Sequence, residues 1–206
     1  MTTVTPFTTE ELVRLAPVIP VVVIDDLDDA VPLAAALVRG GLPAIEVTLR
    51  TPPALAAIER IAGEVEGAFV GAGTVNTPQQ ADDALAAGAR FLVSPGATPN
   101  LLDALQASRV PFLPGTATAS DIVALIERGI THAKLFPADV VGGVKALKAF
   151  AGPFPQMRFC PTGGITVDNA SDYLAQPNVV CVGGSWMTKG DVETQARAAA
   201  ALSAQS

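Results

Sequence analysis

Histidine occurs once in the 206 residues, cysteine twice, and tryptophan and tyrosine once each. A single histidine leaves little room for His-based zinc or a His-centred catalytic triad. Two cysteines cannot build a disulfide scaffold and fit a reducing compartment. Positive charge is scarce too: 13 Lys+Arg against 20 Asp+Glu give a net charge of −7. That balance argues against a nucleic-acid surface, which needs a concentrated basic face. With 50% hydrophobic and only 16% charged residues, the chain is also unlike a disordered one.

Long apolar runs are missing as well, although mean hydropathy is +0.41. The densest uncharged run near the start, Leu15–Ile24, is ten residues long and holds two prolines. A spanning helix needs roughly 20. Met1–Pro17 places Glu10 and Glu11 ahead of Arg14, so neither a signal peptide nor a membrane anchor is expected. The expectation is a cytoplasmic protein, in which the sequon Asn169-Ala-Ser171 would never meet the glycosylation machinery.

What is present is an alternation. Short apolar, β-branched runs at Val18–Ile24, Ala44–Leu49, Ala68–Ala72, Arg90–Val93, Pro111–Leu113, His132–Phe136, Arg158–Cys160 and Val179–Val182 are each followed by an Ala/Leu-rich stretch. Continuous rather than alternating hydrophobicity suggests strands covered on both sides, as in a parallel sheet with outer helices. Thr51-Pro52, Thr77-Pro78 and Thr98-Pro99 each read as an N-cap hydroxyl followed by proline at the first helical position. Asp25, Asp26, Asp28 and Asp29 suit the start of the first of these helices. A short helix is expected at 8–15, and an amphipathic one at Asp191–Leu202.

Eight βα units in this length average about 26 residues, near the compact limit of a (β/α)8 barrel. One domain, residues 1–206, is expected. The competing doubly wound sheet would need a dinucleotide fingerprint after Gly71-Ala-Gly73, but its third glycine falls on Asn76.

In a barrel, chemistry gathers at the C-terminal strand ends. Glu46, Thr48 and Arg50 share one parity and leave Ile45, Val47 and Leu49 to face the helices. His132, Lys134 and Phe136 likewise share a face. Of the four lysines, Lys145, Lys148 and Lys189 fall on expected helices or surface loops; Lys134 alone lies in an apolar strand. Desolvation of an ammonium is costly, which makes a neutral, nucleophilic amine accessible there. A bland reading stands beside it: Lys134 snorkels from a strand end or pairs structurally with an acid. Glu46 is such an acid and also a candidate proton carrier. Arg50 either caps the next helix or forms a fork for a carboxylate. Gly163-Gly164 and Gly183-Gly184-Ser185, after the last two strands, either make tight turns or turn their N–H groups on an anion. Cys160 and Cys181 read as buried thiols, His132 as a satisfied interior histidine, and Trp186 and Tyr173 as packing or interface residues.

Glu46-Val-Thr-Leu-Arg50-Thr51, Gly71-Ala-Gly-Thr74-Val75, Ser94-Pro-Gly96, Lys134-Leu-Phe-Pro137, Arg158-Phe-Cys-Pro-Thr-Gly-Gly164 and Gly183-Gly-Ser-Trp186 occur in this order. From about Pro17 to Trp186 the chain closely resembles the 2-keto-3-deoxy-6-phosphogluconate (KDPG) aldolases, class I pyruvate aldolases on a (β/α)8 barrel. The resemblance implies that Lys134 forms a Schiff base with the keto carbon and that Glu46 is the general acid/base. It implies that Arg50 and Thr74 hold the pyruvate carboxylate and that Pro95 and Phe136 line the pocket. Thr162, Gly163, Gly164, Gly184 and Ser185 would meet the distal hydroxyl and phosphate end. No cofactor or metal, a phosphorylated keto-acid substrate and a homotrimer are implied, with 4-hydroxy-2-oxoglutarate as a second substrate in many relatives. Leu135 departs from the two aromatics often found after the lysine and is shared with galactonate-type aldolases. Other classes left open are a barrel isomerase or epimerase for a sugar phosphate, and a catalytically silent barrel used for assembly or ligand binding.

Overall fold

The computed structural model describes residues 7–202; the first six residues, part of the stretch read above for a signal peptide, lie outside the described residues. Helices and strands alternate along the chain: α1 (Thr9–Val13), β1 (Val18–Val22), α2 (Ala30–Arg39), β2 (Ala44–Thr48), α3 (Ala54–Glu64), β3 (Phe69–Gly73) and α4 (Pro78–Ala86). Then come β4 (Leu92–Val93), α5 (Pro99–Ala107), β5 (Phe112–Leu113), β6 (Gly115–Thr116), α6 (Ala119–Glu127) and β7 (His132–Leu135). The chain ends with α7 (Gly143–Ala151), β8 (Arg158–Pro161), α8 (Ala170–Leu174), β9 (Val182–Gly184) and α9 (Val192–Ala200). Among the described residues, no helix is long and apolar enough to cross a membrane.

Every strand pairing is parallel. Six strands run in the order β5-β4-β3-β2-β1-β9, and three in the order β6-β7-β8. Two isolated parallel bridges, Phe159 to Val179 and Thr162 to Gly183, connect β8 to the β9 segment. The fifth expected strand, Pro111–Leu113, forms as β5, and a further strand, β6, follows beyond Pro114, which has no N–H to give a ladder; the Pro114 carbonyl accepts from the Lys134 N–H at 2.9 Å. The eighth lies later than Val179–Val182, because Gly183 and Gly184 extend the ladder with β1 instead of turning away from it.

Of the three expected hydroxyl–proline helix starts, two form as read and one does not. Thr77 accepts from the Gln80 N–H and Thr98 from the Leu101 N–H, each with proline in the first turn. Thr8 caps α1 through a reciprocal box with Glu11. Asp26 caps a single 3-10 turn, Leu27–Asp29, that leads into α2. Thr51 does not cap α3, which starts at Ala54 after Pro53 without a side-chain cap; its hydroxyl instead donates to the Ile24 carbonyl at 2.5 Å, tying β2's exit to that of β1.

Two apolar layers result. The larger packs strand residues such as Ile45, Val47, Val70, Ala72, Ala133 and Leu135 against the helices. The smaller lies on the other strand face and joins Ile19, Ala44, Phe69, Phe91, Val93, Leu113, Cys160 and Cys181 to Leu12 and Val13 of α1. Alternate residues of each strand thus serve opposite layers, as the pleat dictates. Phe69 and Phe91 stack with centroids 5.9 Å apart, and Phe7 packs on Phe69 at 4.6 Å. Two polar links hold α1 in place: the Thr9 hydroxyl accepts from the Phe112 N–H at 3.2 Å, and Glu10 Oε2 lies 2.8 Å from His132 Nε2. This confirms His132 as a satisfied histidine, half-buried at the start of β7.

Candidate active site

Beyond the smaller apolar layer, toward the C-terminal strand ends, the same strand face turns polar. Glu46 follows Ala44 along β2, and Lys134 follows His132 along β7. The Lys134 Nζ donates to Glu46 Oε1 at 3.0 Å, and the two side chains are only 3% and 4% exposed. Lys134 does not snorkel. It is a buried cation held by a buried anion, an arrangement that survives only because each offsets the other's desolvation. The Phe136 ring stands 5.3 Å from Nζ, centroid to nitrogen, within reach of a cation–π contact.

The strands position this pair through contacts that keep each chain segment fixed. Gly115 is in register with Lys134, and Lys134 with Cys160. The Thr116 hydroxyl donates to the Lys134 carbonyl at 3.1 Å, and the Thr48 hydroxyl to the Val22 carbonyl at 3.1 Å. The fully buried Ser94 hydroxyl accepts from the Gly115 N–H at 3.3 Å. A side chain on Gly115 would collide with the Pro95 backbone, so glycine there lets the Ser94–Gly96 segment close on β6. Pro95 itself is half-buried.

Arg50 and Thr74 form a second cluster. Arg50 does not cap α3: its Nε donates to Thr74 Oγ1 at 2.9 Å. Arg50 is exposed and Thr74 half-buried, so the guanidinium reaches the surface. Thr74 adopts φ 58°, the left-handed region where a β-branched residue is a strained outlier. Strain of this kind persists where the surroundings hold it. Here the Val75 N–H bonded to the Val93 carbonyl fixes the turn that brings the hydroxyl to Arg50.

The glycine pairs differ from one another. Gly163 and Gly164 have φ 96° and 78°, so they make a left-handed turn. Gly163 lies against Phe136 and Pro137, and Gly164 against Asp139. Asn169, whose only notice in the sequence was as part of an idle sequon, fastens this turn. Its Nδ2 donates to the Gly164 carbonyl at 2.9 Å, and its Oδ1 accepts from the Thr166 N–H at 2.8 Å. In the second pair, the room left by Gly183 is taken by the buried Thr162 side chain, and that left by Gly184 by the Trp186 ring. Trp186 is therefore a packing residue, as expected. Ser185 is exposed at the end of β9. Thr162 and Gly183 are also bridged through their backbones. Lys134, Glu46, Phe136 and Gly163 thus form one continuous group, Thr162 and Gly183–Ser185 another, and Arg50 with Thr74 a third, joined to Glu46 through Gly73.

Cys160 and Cys181 are buried and free. A hydrogen bond with the Cys160 thiol, together with complete burial, holds the Cys181 thiol well above its usual range, which makes these sulfurs packing groups. Tyr173 is buried, and desolvation raises its phenol.

A primary amine and a carboxylate in contact at the ends of parallel strands have what Schiff-base carbon–carbon lyases require, a nucleophile beside a proton carrier. A family model for KDPG and KHG aldolase matches residues 9–201. The 2-dehydro-3-deoxy-phosphogluconate aldolase of Dickeya dadantii is 51% identical over 182 residues, covering 88% of this chain and 85% of that protein. The crystal structure of the KDPG aldolase of Zymomonas mobilis ZM4 with 3-phosphoglycerate superposes with a TM-score of 0.91 at 47% identity, covering 94% of this chain and 95% of that one. The KDPG aldolase of Legionella pneumophila, with pyruvate captured at low pH as a covalent carbinolamine intermediate, gives 0.88 at 46%, covering 95% and 98%. The chain belongs to the KDPG and KHG aldolase family, and aldolases are carbon–carbon lyases.

Proposed function

We propose that the protein is a class I aldolase that cleaves 2-keto-3-deoxy-6-phosphogluconate to pyruvate and glyceraldehyde 3-phosphate, in a single domain closed as a (β/α)8 barrel. The parallel bridges from β8 to β9 and the chain's continuity through Pro114 support closure of the two sheets into one ring. The observation that carries the functional reading is the sealed Lys134–Glu46 contact of 3.0 Å.

Glu46 takes a proton from the Lys134 ammonium, and the neutral amine attacks the C2 carbonyl to give a carbinolamine. The same proton, returned by Glu46, leaves with the C2 oxygen as water, so that the protonated imine becomes an electron sink. Glu46, through a water, takes the C4 hydroxyl proton as the C3–C4 bond breaks. The bonding pair flows into the imine to give an enamine, and the aldehyde departs. Protonation at C3 and hydrolysis of the imine then release pyruvate and restore the amine. Arg50 and Thr74 hold the substrate carboxylate, with the guanidinium supplying the charge and the strained hydroxyl fixing its orientation. Pro95 and Phe136 wall the pocket. Thr162, Gly163, Gly164, Gly184 and Ser185 receive the hydroxyl and phosphate end, where backbone N–H groups suit an anion.

The same chemistry extends to 4-hydroxy-2-oxoglutarate, which lacks the phosphate. The galactonate-configured substrate is the competing reading, suggested by Leu135. However, Leu135 is fully buried in the helix-facing layer, away from the Lys134 face, which removes its weight as a stereochemical determinant. We further propose a homotrimer in the cytoplasm; two free cysteines suit a reducing compartment.

Incubation with pyruvate and borohydride tests the reading. An intact-mass increase located at Lys134, absent from Lys134→Met, is expected. An unmodified Lys134, or cleavage retained by Lys134→Met, overturns it and favours an isomerase, an epimerase or a silent barrel. Cleavage rates on the gluconate and galactonate isomers decide between those substrates.

A further inference from the structure

Strand β3 presents two glycines on the face it shares with Glu46 and Phe91. A side chain on Gly71 would meet the Phe91 ring, and one on Gly73 would meet Glu46. Small residues on one strand thus make room for large ones on its neighbours, an alternation that lets a narrow interior fill. The two vacancies hold different things, however. Phe91 is a fully buried apolar ring in the smaller apolar layer, whereas the occupant facing Gly73 is the carboxylate bonded to Lys134.

Gly73 lies in a regular strand, in register with Thr48, and no left-handed backbone demands glycine there. An alanine would suit the backbone. Its methyl carbon would overlap Glu46 Oε1 outright and lie 2.5 Å from Cγ and 2.6 Å from Cδ. Oε1 is also the atom that accepts from Lys134 Nζ. What would have to give way is the end of a flexible side chain rather than backbone, so the fold can absorb the methyl by rotating Glu46. The aim of the carboxylate cannot absorb it, because rotation removes Oε1 from Nζ.

We propose that Gly73 is a positioning residue, whose missing side chain fixes the Glu46 rotamer and thereby aims the carboxylate at Lys134. This rests on the reading of Glu46 as the proton carrier. It extends that reading to a residue that touches no substrate and carries no functional group.

The experiment measures Gly73→Ala, Glu46→Ala and the double variant in KDPG cleavage. Gly73→Ala is expected to fold and to keep KM within about threefold, since Arg50 and Thr74 are untouched. Its kcat is expected to fall about 100-fold, the scale of an ångström-sized misplacement. The limb of the kcat–pH profile that Glu46→Ala removes should shift in Gly73→Ala. In the Glu46→Ala background, Gly73→Ala should cause no further loss, because no carboxylate remains to be displaced. Wild-type kcat in Gly73→Ala, or an equal loss in both backgrounds, overturns the proposal and leaves Gly73 as packing. If Gly73→Ala fails to fold, recovery of folding in the double variant supports the proposal, and failure of both overturns it. Wild-type cleavage by Glu46→Ala alone is the separate result that refutes the underlying reading of Glu46.

Discussion

Replacing Lys134 with methionine, a side chain of similar length and no charge, turns the central contact into a stability measurement. With its partner gone, the Glu46 carboxylate is left in a site that exposes only 4% of it. Breaking a buried pair by deleting one member costs about 3–5 kcal/mol. For a chain of this size each kcal/mol moves Tm by about 2–4 °C, so Lys134→Met should melt roughly 6–20 °C lower while keeping wild-type secondary structure by circular dichroism. Replacing both members by apolar groups of similar volume, as in Lys134→Met with Glu46→Leu, removes two desolvation penalties at once. Such replacements are often neutral or stabilising, by about 1–4 kcal/mol. The double variant should therefore recover wild-type stability or exceed it, with no cleavage activity. Urea unfolding of the four members of the cycle gives the coupling. A single variant within 1 kcal/mol of wild type, or a double variant no more stable than the single, would show that solvent reaches the pair and refute the argument from burial.

Thr74→Gly should relieve the left-handed strain and leave stability unchanged or raised by up to about 1 kcal/mol, since the strain removed is partly offset by glycine's extra freedom when unfolded. KM for the keto acid should rise at least tenfold, and an unchanged KM would remove the Arg50–Thr74 pair from substrate binding. Burial lowers the affinity of His132 for a proton, only partly opposed by Glu10, so the folded state keeps the ring neutral while the unfolded chain protonates it near the ordinary histidine value. Below that value the unfolded state binds more protons and stability falls as pH drops. Urea midpoints should therefore decline from pH 7 toward 5.5 in the wild type and decline less in His132→Gln; equal slopes would rule the histidine out as the cause. Native protein should show no thiol reactive toward an aromatic disulfide reagent and two after unfolding, whereas a reactive thiol in the native state would contradict the packing role of Cys160 and Cys181.

Charge was the clearest message in the sequence. Lys134 and Glu46 interrupt apolar strands, and a charge in such a place needs a partner, so each residue pointed to the other. Arg50 was legible through strand parity. The pairing of Thr74 with it came from the family resemblance, since Thr74 shares the parity of the helix-facing Ala72 and reaches Arg50 only through its left-handed turn. Elements were legible where hydrophobic runs and caps agreed, as at Thr77 and Thr98. Thr51 misled because the hydroxyl-proline pair that starts a helix can equally tie one strand exit to another. The strand beyond Pro114 and the late β9 depend on ladder partners far along the chain, which no local pattern reports. Gly73 was out of reach for a different reason: its contribution is an empty volume, visible only once the Glu46 side chain is placed beside it. Asn169 was hidden because its bonds are to backbone groups whose position depends on the Gly163–Gly164 turn.

The aromatic floor beneath the site has a kinetic consequence. Phe69, Phe91 and Leu113, with Leu12 and Val13 of α1 behind them, pack across the far side of Lys134 among the described residues, so substrate reaches the lysine from the C-terminal strand ends. Under the proposed chemistry, the fragment tethered to the lysine sits deepest and the aldehyde lies between it and those ends. Cleavage must then release the aldehyde before pyruvate, and synthesis must load pyruvate first. The order of release follows from the covalent tether at Lys134, and the closed floor behind that lysine reinforces it.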